Sequence, residues 1–206
     1  MYRNTHAGGV IAAFLVLASL GFCTSFGWTE AVAAPPGEGF VPLFKGDTFE
    51  GWKYPEGFEG HWTVRDGVVA CDGKARAVDG GERNLWTEKS YKDFVLSVEW
   101  RLTGTPERKL MNDFTEDGLF KTDAEGKRVL HEILHAGDSG IYLRGSERAQ
   151  VNIWSQPMGS GDINPYHKDA SLPEAIRRAC MPKVNADAPP GEWNRFVITL
   201  RGDRIT

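Results

Sequence analysis

The chain has 206 residues, 41% of them hydrophobic and 25% charged, which excludes wholesale disorder and a collagen-like chain. Its formal charge is −4, so it carries no basic field that would suit nucleic acid or an anionic membrane surface. The 24 glycines, 11 prolines and seven tryptophans fit short strands joined by turns better than a helical bundle.

Residues 1–33 read as an export signal. Arg3 supplies the positive start, Val10 to Leu20 the apolar run, and Ala31-Val32-Ala33 a small-residue cleavage site with Ala34 as the first mature residue. The run is short for a membrane span, which needs about 20 apolar residues. Leu20-Gly21-Phe22-Cys23 is a poor lipobox, because bulky Phe22 stands where a small residue belongs. This reading places residues 34–206, as one domain, in the periplasm or outside the cell, with no membrane attachment after cleavage. In that oxidising setting Cys71 and Cys180 could form one disulfide; the alternative is two separately buried thiols.

Pro35 to Gly39 is a flexible lead-in, followed by Phe40 to Phe44 and a turn at Lys45-Gly46-Asp47. Trp62 to Arg65 and Val68 to Cys71 flank Asp66-Gly67, a two-residue hairpin signal because both positions tolerate positive φ. Phe94 to Leu102 (FVLSVEWRL) alternates strictly, as a half-buried strand does. Thr103 to Gly126 is charged, with scattered glycine, and reads as a long loop or insertion. Gly140 to Arg144, Gln150 to Trp154 and Trp193 to Arg201 are further alternating strands, and Arg204 to Thr206 begins a return strand. So short a return strand pairs poorly, which suggests that the domain continues beyond Thr206. Ser171 and Glu174 form an S-x-x-E capping box for one helix running to about Cys180. The expected architecture is all-β, a sandwich or jelly roll with one short helix.

If the apolar faces form the core, the opposite faces carry Ser97, Glu99 and Arg101; Tyr142 and Arg144; Gln150, Asn152 and Trp154; and Arg195, Thr199 and Arg201. Planar multidentate hydrogen-bonding groups among aromatic rings are what a carbohydrate site uses. A solvated sheet face laced with ion pairs has the same pattern. His131-Glu132-Ile133-Leu134-His135 matches H-E-x-x-H, which holds zinc when it lies on a helix. The segment is short and the extended signature is absent: Asp138 and Ile141 stand where its Gly and third His belong. Turns at Asp138-Ser139-Gly140 and Gly159-Ser160-Gly161-Asp162 lie at strand ends, with Tyr166 and His167 just beyond.

Seven stretches together resemble one family. They are Val41-Pro-Leu-Phe-Lys-Gly46 with Gly51-Trp52; Trp62-x-Val-x-Asp-Gly67; Asn84-Leu-Trp-Thr-Glu88 with Tyr91-x-Asp-Phe94; Asp138-Ser-Gly-Ile-Tyr-Leu-Arg-Gly145; Gln150-Val-Asn-Ile-Trp154; Gly159-Ser-Gly161; and Gly191-Glu-Trp-Asn-Arg195. The chain from about Phe40 to Thr206 resembles the 3-keto-disaccharide hydrolase-like domain, also called the 3-keto-glucoside 1,2-lyase/3-keto-2-hydroxy-glucal hydratase domain. The resemblance implies a concanavalin/laminarinase-like jelly roll and an oligosaccharide or glycoside substrate. It shows two departures. Asn152 stands where many members carry Glu, and members continue past Thr206 with an His-Gly-Asp-Pro-like stretch.

The implied chemistry begins at a C3 ketone, which acidifies the C2 hydrogen. A base removes that hydrogen, an electrophile stabilises the enolate, the C1 aglycone leaves, and water adds to the product. Arg144 is the expected oxyanion partner, with His135, Glu132 and Asp138 as candidate bases; a divalent cation is the alternative electrophile. Tyr142, Gln150, Asn152, Trp154, Glu99 and Tyr166 are the expected sugar contacts. Two other readings remain: a non-catalytic carbohydrate-binding module, and a zinc hydrolase using His131 and His135.

Overall fold

A computed structural model describes residues 10–13, 40–73 and 84–206. The expected Ala33–Ala34 cleavage site, the Pro35 to Gly39 lead-in and most of the Val10 to Leu20 apolar run lie outside them. The strands, in order, are β1 (Val10–Ala13), β2 (Trp52–Lys53), β3 (Trp62–Arg65), β4 (Val68–Cys71), β5 (Trp86–Thr87), β6 (Phe94–Leu102), β7 (Glu107–Asn112), β8 (Leu130–His135), β9 (Asp138–Leu143), β10 (Ser146–Trp154), β11 (Ile163–Asn164), β12 (Asn194–Arg201) and β13 (Arg204–Ile205). One α-helix, α1 (Glu174–Ala179), and one 3₁₀ turn, Tyr166–Lys168, complete the described elements.

The fold is an all-β sandwich. A six-stranded antiparallel sheet runs β13-β12-β6-β1-β4-β3, and a three-stranded one runs β11-β10-β9. Val10–Ala13, the start of the N-terminal apolar run, occupies the place between β4 and β6. The two sheets pack through their alternating apolar positions. Leu143 and Val151 from the small sheet meet Ile198 and Leu200 from the large one. Trp100, Leu102, Ala136 and Ile153 form a second cluster beside them. Each such side chain, fully buried, contributes roughly 1.5–3 kcal/mol.

The Asp66-Gly67 hairpin forms as the sequence predicts, with φ of 53° and 73° at its two turn residues. The segment expected to be a loop after Thr103 does not stay irregular. Glu107–Asn112 pairs with Leu130–His135 as a two-stranded ribbon, continued by bridges between Phe114 and Phe120 and between Thr122 and Arg128. Its strand is imposed by the partner, since ERKLMN has no alternation of its own.

The helix forms, but not from its expected cap. Ser171 donates its Oγ–H to Asp169 Oδ1 at 2.6 Å, and its backbone N–H goes to the same oxygen at 3.0 Å. Those two bonds hold the Asp169 carboxyl below its ordinary range. The helix therefore starts after Pro173, with no side-chain cap. Cys71 and Cys180 are half-buried and are not joined to each other. Burial pushes the Cys180 thiol up, and the Asp162 carboxylate adds to the effect.

Candidate functional site

The site begins with the register of β9 and β10. Tyr142 lies opposite Gln150, Gly140 opposite Asn152, and Asp138 opposite Trp154. Ile141, Leu143, Val151 and Ile153 point into the core. The alternate residues therefore share the sheet's other face. Four of the expected sugar contacts and one candidate base are thus brought together. Gly140 has no side chain for a reason: a Cβ there would come within 2.4 Å of the Gln150 amide, which lies across it. Gln150 Oε1 accepts a bond from Asn164 Nδ2 at 3.3 Å, and the Gln150 NH2 group lies over Gly140. Tyr142 stacks on Trp86 with ring centroids 5.7 Å apart.

A buried acid–imidazole pair underlies this face. Asp162 and His167 are both completely buried, with Nε2 and Oδ2 3.1 Å apart. His167 Nδ1 lies 3.0 Å from the Gly118 carbonyl, which only accepts, so Nδ1 carries a proton. Nε2 lies near the carboxylate but outside hydrogen-bond geometry, so it is buried without a hydrogen-bond partner. Asn152 Nδ2 donates to the same Asp162 oxygen at 3.3 Å, and Asp162 Oδ1 has no partner. The Phe114 ring meets His167 edge-on at 5.3 Å and lies 6.0 Å from Trp154.

Helix α1 holds that cover in place. Arg177 bonds the Leu172 carbonyl and the Asp117 carboxylate, which also accepts from Thr115 Oγ1 at 2.6 Å. The Thr115 bond first, and Arg177 second, keep the Asp117 carboxyl low. Gly118 follows with φ +85°; a Cβ there would strike the His167 carbonyl oxygen at 2.5 Å.

A charged group at this face that sequence reading missed is Lys168. Its Nζ lies 5.9 Å from the centre of the Trp154 ring. Burial lowers its pKa, while the Asp162 and Asp138 carboxylates pull the other way. It is a half-buried cation, sharing its surroundings with an acid from β9 and a buried acid below. Its one sequence signal is position, one residue after His167 beyond a glycine-rich strand end.

The other expected residues lie elsewhere. Arg144 does not continue the β9 alternation: it sits with φ +53° beside Gly145 at +66°, forming the two-residue turn to β10. Ser146 to Ala149, which precede the expected Gln150 to Trp154 strand, are therefore already strand and bulge. Arg144 Nε donates to the Lys92 carbonyl at 2.7 Å and its NH2 group to Asp93 at 3.0 Å. Glu99 pairs with Arg195 at 2.9 Å on the outer face of the large sheet, across the core from this cluster. Tyr166 starts the 3₁₀ turn, with the Arg148 guanidinium 5.7 Å from its ring centre.

His131 and His135 lie on strand β8, not on a helix, so the zinc signature has no helical face to act from. Glu132 is ion-paired with Arg108 on the ribbon's exposed side. His135 is buried, with Nδ1 3.4 Å from Lys109 Nζ. Among the described residues no three His, Cys, Asp or Glu side chains assemble as a metal centre requires.

The family model of the 3-keto-alpha-glucoside-1,2-lyase-like domain matches residues 39–206, and the chain belongs to that family. No curated protein and no solved structure matches the chain.

Proposed function

We propose that this member of the 3-keto-glucoside lyase-like family cleaves 3-keto-glycosides at the outer face of β9 and β10, with Asp138 as base and Lys168 as electrophile. The observation that carries this reading is Lys168, drawn partly out of water beside Asp162 and Asp138 and over the Trp154 ring. The keto-sugar ring lies on Trp154, whose flat apolar surface suits the C–H face of a pyranose. Asp138 takes the proton from C2. The charge that develops on the C3 oxygen is met by the Lys168 ammonium and by the Gln150 NH2 group. The C1–O bond breaks, and the leaving oxygen takes the proton that Asp138 gained. Water then adds across the C1–C2 double bond, giving net hydrolysis. Asp162, sealed from solvent beside His167, acts by position: its carboxylate favours the Lys168 ammonium.

The test is turnover of a 3-keto-glucoside by the wild type and by Lys168→Met. Loss of turnover with sugar binding retained supports the assignment. Sugar binding with no turnover in either protein would favour the carbohydrate-binding module. The leader residues support action outside the cytoplasm. Mass spectrometry of the exported protein should then find Ala34 at the N-terminus, and an intact Met1 would sink that reading.

A further inference from the structure

The chain's net charge of −4 is unevenly spread. Residues paired directly across strands share a face of the sheet. Arg65 pairs with Val68, β1 sets Val68 level with Glu99, and Glu99 pairs with Arg195. Val69 and Trp100, the next residues along β4 and β6, are buried in the core, so this row faces outward. Arg101 lies on the same face, two residues beyond Glu99. Arg201 is paired with Arg204, while the neighbouring pair Leu200 and Ile205 packs inward. The charged strand residues of the large sheet's outer face are therefore Arg65, Arg101, Arg195, Arg201 and Arg204 against a single acid, Glu99.

Glu99 is taken up by Arg195 at 2.9 Å, and the Arg101 guanidinium lies 4.5 Å from the centre of the Trp193 ring. Arg65, Arg201 and Arg204 are exposed, and among the described residues no side chain or carbonyl holds their guanidinium groups. Like charges directly opposite each other, with Cβ atoms about 4.5–5.5 Å apart, destabilise a strand pair. An anion between Arg201 and Arg204 offsets that cost, and a planar carboxylate matches the guanidinium fork. The arginines are spread across a sheet of six strands, about 24 Å at a strand spacing of about 4.8 Å, so an extended polyanion meets them where a single small ion does not. Beside them lie Thr63, Ser97 and Thr199, and the exposed side chains of Val95 and Val197. Hydroxyls with apolar surface suit a chain of sugar rings, which offer hydroxyl groups and C–H faces. Trp193 already carries the Arg101 guanidinium, so it offers no stacking platform to a nucleic-acid base.

We infer that the outer face of the large sheet docks a carboxylated polysaccharide, with Arg201 and Arg204 as the clasp for its carboxylates. This face lies across the core from β9 and β10, so docking does not depend on the lyase reading. The probe is polygalacturonate, titrated calorimetrically into the full chain at low salt. Binding should weaken as salt rises. Arg201→Gln/Arg204→Gln should weaken it about tenfold, the scale of losing charge-assisted contacts that water partly screens. Lys127→Gln/Lys183→Gln removes the same charge from exposed positions off this sheet and should leave the affinity unchanged. The arginine variant should melt no earlier than wild type, since it relieves a like-charge pair. Its turnover of a small 3-keto-glucoside should equal that of the wild type. Equal affinity for fully methyl-esterified polygalacturonate, or unchanged affinity in the arginine variant, overturns the proposal. Tighter binding of dextran sulfate or of single-stranded DNA overturns it in favour of a sulfated or nucleic-acid partner. Lost affinity together with an early melt makes the two arginines structural and overturns it as well. Absence of turnover in every protein, with polygalacturonate binding intact, overturns the lyase reading and leaves the docking face standing.

Discussion

Replacing Lys168 tests the proposed chemistry and separates it from a structural role. Removing one preorganised group that stabilises a developing oxyanion lowers turnover about 10²–10³-fold, roughly 2.7–4 kcal/mol of barrier. Lys168→Met should show that loss. Its stability should move the other way. Burial disfavours the ammonium in the folded protein, so the folded pKa lies below the 10.5 of a free lysine side chain. The unfolded chain then binds more protons between those two values, and stability rises with pH across that window. At neutral pH the folded protein bears the whole penalty, and Met removes it. Lys168→Met should therefore melt no earlier than wild type at pH 7 while failing to turn over. The pH profile gives a sharper discriminator. Activity should fall on the alkaline side as Lys168 loses its proton, below the ordinary lysine range. Asp138 raises the lysine pKa, so any residual activity in Asp138→Asn should fall off at lower pH still. Lys168→Arg stays charged throughout, and its alkaline limb should vanish. Wild-type turnover in Lys168→Met, or an unchanged alkaline limb in Lys168→Arg, would refute the reasoning.

Asp162→Asn breaks a completely buried pair and should cost about 3 kcal/mol in urea unfolding with the m-value unchanged; a loss under half of that would show the pair to be relaxed. Gly140→Ala drives a methyl into the Gln150 amide and should cost about 1–3 kcal/mol, with weaker sugar binding by calorimetry. Arg144→Ala loses two half-exposed bonds to Lys92 and Asp93, so it should lower stability by about 1 kcal/mol and leave turnover intact. A large turnover loss in a fully folded Arg144→Ala protein would return the arginine to the reaction.

The sandwich was legible where one signal dominated. Asp66-Gly67 fixed a hairpin because few residues other than Asn, Asp and Gly take positive φ cheaply. Phe94 to Leu102 alternated without a break, and its strand has those bounds. The ribbon was hidden because Glu107 to Asn112 is held by β8, not by its own pattern. The capping box failed because Asp169, two residues earlier, competes for Ser171. Half of the candidate site was legible too, because alternation in β9 and β10 assigns a face to each residue. Alternation says nothing of which sheet that face belongs to, so Glu99 was grouped with residues from which the core separates it. Asp162, His167 and Lys168 come from irregular chain, where no periodicity distinguishes a sealed acid from a solvated one.

The register of β9 on β10 ties the core and the reaction to one specification. Side chains alternate with period two, so a slip of one residue would turn Val151 and Ile153 outward and carry Asn152 and Trp154 into the sandwich. Such a slip would also take Asp138 away from Trp154 and so from Lys168. Two features set the register: the Arg144-Gly145 turn, and the irregularity between Ser146 and Gln150 that shifts the pairing before the functional residues begin. Asp93 accepts from the Arg144 guanidinium and from the Gly202 backbone N–H at 2.9 Å, so it fastens this turn to the turn between β12 and β13. Arg144 thus belongs to the turn and not to the sugar contacts. The turn backbone, at φ +53° and +66°, and the irregularity after it set the parity that decides which residues meet the sugar, so the guanidinium adds stability and not register.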